Sequence, residues 1–158
     1  MNDEYLKGVP TECVEKWRSI FSNMGMTTEE DIFYDNIGDI LEYGNITDDE
    51  AITLCNEIID KSISENDDLI LEAMYHAIYT GVMNRNIGDR LHTDIIAGNL
   101  DRFNEEVLDY IVDIFAFTGD KAYVGTIQKL GQQHKNLDID DALSELNYYI
   151  AKKANSDD

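Results

Sequence analysis

Residues 66–81 read NDDLILEAMYHAIYTG, and residues 104–119 read NEEVLDYIVDIFAFTG. At an offset of 38 residues, Asn66 falls on Asn104, and the two acids that follow it fall on two acids. Ile70 meets Leu108, Ala73 meets Ile111, Met74 meets Val112, Ala77 meets Phe115 and Tyr79 meets Phe117, and both copies end in Thr-Gly. Each copy opens with an asparagine suited to capping and with acids suited to the positive end of a helix. Positions 70, 73, 74 and 77 follow the i, i+3, i+4, i+7 spacing of one helical face. Gly81 and Gly119 stand where a helix is expected to stop. The connections recur as well, at an offset of 37: Ile87-Gly88 with Val124-Gly125, and Asn99-Leu100-Asp101 with Asn136-Leu137-Asp138. Helix, turn, second helix and short loop over about 38 residues is the size of a two-helix solenoid repeat.

Outward from this stretch the chain reads as one all-α domain over residues 1–158, built of stacked helical hairpins with about eight or nine helices. Pro10-Thr11 opens a helix with Val14, Trp17, Ile20, Phe21 and Met24 on its apolar face, ending at Gly25. Thr27 and Glu30, then Thr47 and Glu50, have capping-box spacing. The helices they start carry Phe33, Ile37, Ile40 and Leu41, and Ile52, Cys55, Ile58 and Ile59. The repeat-like units are 28–62, 66–98 and 104–137, with second helices expected at about 86–97 and 120–130. A final helix over 138–153 carries Leu143, Leu146 and Ile150, and the last four residues, NSDD, are expected to be disordered. No stretch alternates with the period of a strand long enough to predict one.

The composition narrows the function. A chain of 158 residues with 43% hydrophobic content is globular and can bury about two thirds of its unfolded surface. One proline suits long helices. No run resembles a signal peptide or spans a bilayer, so a cytoplasmic protein is expected. Cys13 and Cys55 occupy apolar helical positions and read as small buried hydrophobes. The net charge is −21, from 33 acids against 12 Lys and Arg. Such a surface repels nucleic acid and anionic membranes and favours a basic protein partner.

No catalytic residue, cofactor or metal site is expected. His76, His92 and His134 share no ligand spacing with one another or with the cysteines, and no zinc-protease, nucleophile-elbow or phosphate-loop motif occurs. Asp138-Ile-Asp140-Asp141 lacks the glycine of a calcium loop and reads as a helix start.

Twelve of the acids fall in predicted first turns, where the helix dipole favours them. The other 21 are unevenly placed. Between Arg18 and Lys61 lie eleven acids and no Lys or Arg. Asp31, Asp35, Asp39 and Glu42 make a stripe opposite Phe33, Ile37 and Ile40, continued by Glu57 and Asp60 on the next helix. Glu72, Tyr75, Tyr110 and Asp113 flank it from the repeat helices, where tyrosine suits an interface. Acids clustered without interleaved lysine repel one another. A partner-binding site made of these ten residues and a solvated face both fit the pattern.

With its NDDLILEAMYHAIYTG and NEEVLDYIVDIFAFTG helices, its size and its charge, the chain resembles the small all-helical, HEAT-like immunity proteins of bacterial polymorphic toxin and contact-dependent growth inhibition systems. The resemblance covers roughly residues 28–150 and carries over no site residues. It implies a cytoplasmic inhibitor of a cognate toxin domain, often a nuclease, whose basic active site an acidic surface would cover. An acidic helical-repeat adaptor that binds a host protein or peptide is the alternative.

Overall fold

The capping box of Thr47 and Glu50 shows how local sequence sets the helices. Thr47 Oγ1 accepts from the Glu50 amide at 3.1 Å, and the Glu50 carboxylate accepts from the Thr47 amide at 3.0 Å. The helix so started, α3 (Asp48–Ser62), is one of eight α-helices among the residues that the computed structural model describes, 13–27 and 29–156. The others are α1 (Val14–Asn23), α2 (Glu30–Tyr43), α4 (Asp68–Asn84), α5 (Thr93–Ala97), α6 (Glu105–Ala116), α7 (Ala122–Gln133) and α8 (Asp140–Ser156). The described residues contain no strand.

The helices form stacked hairpins. In one layer α2 packs on α4, α4 on α6 and α6 on α8. In the other, α1 packs on α3 and α3 on α5, and the Tyr123 hydroxyl of α7 donates to Thr93 Oγ1 of α5 at 2.8 Å. The apolar core runs between the layers, from Trp17 and Phe21 at one end to Ala142 and Leu146 at the other. Small residues meet where α2 packs on α4: a Cβ on Gly38 would lie 3.5 Å from the Ala77 Cα.

The repeat is present in the first layer, but its packing register is 37 residues, not 38. Tyr34, Leu71 and Leu108 are equivalent and buried, as are Ile37, Met74 and Ile111, and Leu41, Ile78 and Phe115. Gly38, Tyr75 and Val112 form a fourth buried set. The 38-residue match paired Asn66 with Asn104 and Gly81 with Gly119 by residue type alone, whereas the capping residues Asp67 and Asn104 are themselves 37 residues apart; the core register is set by which side chains fit between neighbouring helices. A one-residue error turns a helix by about 100°.

Several local expectations are corrected for the same kind of reason. Asp67 caps α4, accepting from the Leu69 amide at 2.9 Å, so Asn66 does not; Asn104 does cap α6, accepting from Val107 at 3.0 Å. The Thr27–Glu30 box does not form: α2 starts at Glu30 with Glu29 at the cap position, Thr27 Oγ1 accepts from the Glu29 amide at 3.2 Å, and the Glu30 carboxylate pairs with Arg18 at 2.6 Å. Gly81 does not end α4, which continues to Asn84 with Gly81 against Cys55 and Leu41. The single helix expected over 86–97 is a 3-10 turn, Gly88–Arg90, followed by the short α5. Asn155 and Ser156 belong to α8, and the expected start at Pro10-Thr11 lies outside the described residues. At the end of α1, Gly25 takes φ +73° and the Met26 amide donates back to Phe21 O, a Schellman closure that glycine permits.

Much of the small stock of positive charge is spent on joining hairpins. The Arg85 guanidinium donates to Leu41 O, Ile46 O and Gly44 O at 2.8–3.1 Å and reaches Asp48 at 3.2 Å. Arg102 donates to Glu65 O, and Lys153 to Thr118 O. Each ties a later hairpin to the turn of an earlier one, and the acids of the first layer are left without them.

Candidate functional site

The 37-residue register arranges the acids of the first layer in rows across its helices. Asp35, Glu72 and Asp109 occupy equivalent positions on α2, α4 and α6, and Asp39, His76 and Asp113 form the next row. Two adjoining grooves run between these helices. One, of about 230 Å³, is lined by Asp31, Asp35, Leu69, Glu72, Ala73, His76 and Tyr110. The other, of about 370 Å³, is lined by Glu72, Tyr79, Glu106, Asp109, Tyr110 and Asp113, with Asp138 and Asp141 closing it from the α8 side. Tyr110 is shared by both. Its ring centroid lies 5.4 Å from that of His76 and 5.5 Å from that of Tyr79.

Together the two grooves present eight carboxylates and no Lys or Arg. The crowding shows in the proton affinities. Partial burial, then the charges of Asp109, Asp138, Asp141 and Glu145, push Asp113 up to about 6. Burial followed by Asp138, Glu106 and Glu105 raises Asp109. Burial also raises Asp35, with Asp31 and Asp39 adding to it and His76 opposing. The Tyr79 and Tyr110 hydroxyls are raised by burial first and by nearby acids second. A cation entering here would meet carboxylates and aromatic faces together, a setting that suits a guanidinium in particular. At the rim of the first groove Leu69 is 70% exposed, and Ile32 is its equivalent on α2.

Of the ten residues expected to bind a partner, the fold brings Asp31, Asp35, Glu72, Tyr110 and Asp113 to these grooves. Asp39 and Glu42 are exposed on the same helix as Asp35, outside both linings. The other three are corrected. Tyr75 is fully buried, its hydroxyl 2.8 Å from Ser62 Oγ and its ring packed edge-on against Phe103; the 37-residue register makes it the counterpart of Val112, not of Asp113. Glu57 accepts the Val14 amide at 2.6 Å, so it caps α1 where the Cys13 side chain makes no cap bond. Asp60 lies on α3, in the other layer, 3.4 Å from His92 Nδ1. The sequence reading left out Glu106, Asp109, Asp138 and Asp141, although the correct register, read from Asp35 to Glu72 to Asp109, marks the row.

No family model, curated protein or solved structure matches the chain. Among the described residues, no group of three or more His, Cys, Asp or Glu is placed to hold a metal ion, and no helix is long and apolar enough to cross a membrane. Cys55 is buried and Cys13 half-buried, and both are free thiols.

Proposed function

We propose that the protein is an immunity protein that acts in the bacterial cytoplasm, binding a basic toxin domain, a nuclease by preference, and covering its active site with the acidic face of α2, α4 and α6. The observation that carries this reading is the pair of adjoining grooves with eight carboxylates, two tyrosines and no Lys or Arg in their linings. A nuclease holds a polyanion and is basic where it does so, so an acidic cover is attracted to the part of the toxin that must be blocked. Tyr79, Tyr110 and the exposed Leu69 supply the apolar contact that charge alone lacks. Nucleic acid and membrane are poor partners for the same face.

A toxin gene is expected directly upstream of its immunity gene, so the test begins by reading the upstream gene and takes the C-terminal domain of a large product found there; a neighbourhood with no such gene would count against the reading. Co-expression should rescue growth, and the purified pair should associate with a rate that falls steeply with salt. Reversing Asp35 and Asp109 together to lysine should slow association at least ten-fold, with folding checked by circular dichroism. A carboxylate that pairs with arginine away from water should cost about 2–5 kcal/mol on truncation. Unchanged affinity and salt dependence in the folded double variant would discard the face. Binding without rescue of growth would point instead to an adaptor.

A further inference from the structure

The C-terminal helix is attached by two unlike halves. Its later half is pinned: Lys153 Nζ donates to Thr118 O at 2.6 Å and lies 3.7 Å from Asp89, and the Tyr149 ring packs on Phe117 with centroids 5.4 Å apart. Its first half buries Ala142 and Leu146, but the rim of that contact is acidic on both sides. Glu106, Asp109 and Asp113 face the groove from α6, Asp138 and Asp141 face it from the loop before α8 and from α8 itself, and the charge of Glu145 on α8 also acts on Asp113. Glu72 and the hydroxyls of Tyr79 and Tyr110 complete the surroundings, and His76 lies beyond Tyr110 in the adjoining groove. Among the described residues, none of these six seam carboxylates is in an ion pair.

We propose that the seam between α6 and α8 is a charge-sensitive latch: protons or cationic groups entering the groove tighten the first half of α8, and full ionisation loosens it while Lys153 and Tyr149 keep the second half in place. Like charges across a helix contact oppose the apolar burial that makes the contact, so removing charge from either side strengthens it. The loosened state is a local opening, distinct from unfolding of the whole chain. The latch belongs to the chain itself and holds whatever partner it has.

Amide hydrogen exchange on the full chain reads the latch directly, as protection corrected for the intrinsic effect of pH. Between pH 7.5 and 5.5, protection over residues 142–148 should rise roughly five-fold, with no matching rise in α3. Asp113→Asn should show most of that gain already at pH 7.5. The exposed pair Asp109→Asn and Glu145→Gln, one on each side of the seam and both clear of a first turn, should do the same. Asp49→Asn, which removes an acid paired with Arg90 on α3, should leave α8 unchanged. Equal α8 protection at the two pH values, an undiminished pH response in the neutralised variants, or a gain shared equally by α3 would each overturn the proposal. If Asp113→Asn fails to fold, the Asp109 and Glu145 pair decides alone.

Discussion

Replacing Tyr75 by phenylalanine removes a single oxygen from the centre of the fold, and its consequence follows from a count of protons. Ser62 Oγ donates to Ile59 O at 2.6 Å, which uses the only proton of that hydroxyl. The 2.8 Å contact between Tyr75 and Ser62 therefore has Tyr75 as donor and Ser62 as acceptor. Both residues are fully buried, so no water replaces the lost bond. Tyr75→Phe leaves Ser62 its bond to Ile59 and costs about 1 kcal/mol. Ser62→Ala is worse, because the tyrosine proton is then buried without an acceptor, and about 1–3 kcal/mol is expected. Tyr75→Ala also opens a cavity and should cost about 3–5 kcal/mol. Urea denaturation followed by far-UV circular dichroism measures all three, together with the double variant Tyr75→Phe, Ser62→Ala. The cycle should return a coupling of about 1 kcal/mol, and each kcal/mol should lower Tm by about 2–4 °C in a chain of this size. A coupling within about 0.3 kcal/mol of zero, with Tyr75→Phe as stable as the parent, would refute the reasoning. It would mean that the tyrosine faces solvent and that the 37-residue register is wrong.

Alkali should unfold the protein through groups that hold their protons more tightly when folded. Burial pushes the Cys55 thiol up from 9.0 to about 12, and burial followed by the charge of Glu30 pushes Tyr34 up from 10.0 to about 12. A raised folded pKa contributes stability that is complete below the unfolded value and is lost as pH rises through the folded one. Stability should thus hold up to about pH 9 and fall steadily toward pH 12, and Cys55→Ala should move the onset upward by about one pH unit, as seen in Tm against pH. Gly88→Ala should be severe, because this glycine of the 3-10 turn is buried against Phe117: the new Cβ would sit 2.5 Å from Phe117 O and 2.8 Å from the Phe117 carbonyl carbon, so backbone must move, and a loss of about 2–3 kcal/mol is expected in the same urea assay. Arg85→Lys should also cost about 2 kcal/mol despite conserving charge, because one ammonium cannot reproduce the guanidinium fork across Leu41 O, Gly44 O and Ile46 O. A lysine variant as stable as the parent would show that charge alone joins the hairpins.

What the sequence determined by itself is local. The apolar spacing on α2, α4 and α6, the capping box at Thr47 and Glu50 and the cap at Asn104 depend on residues within a turn or two of one another, and the helices form where that chemistry places them. The shortage of positive charge between Arg18 and Lys61 was legible for the same reason, and it led to Asp31 and Asp35. Rotation and company came from packing. Tyr75 and Asp113 looked equivalent because Asn66 and Asn104 share a residue type, although Asp67 is the residue that caps α4, and packing against Ser62 and Phe103 placed one in the core while the other faces Asp109 and Asp138. Glu57 read as part of an acidic stripe until α1 brought an uncapped amide to it. Asp138 and Asp141 read as an ordinary helix start, and α8 turned them onto α6. Spacing along a helix shows which residues share a face. Only the neighbouring helix, by what it can accommodate and which charges it carries, settles whether that face is core, cap or open surface.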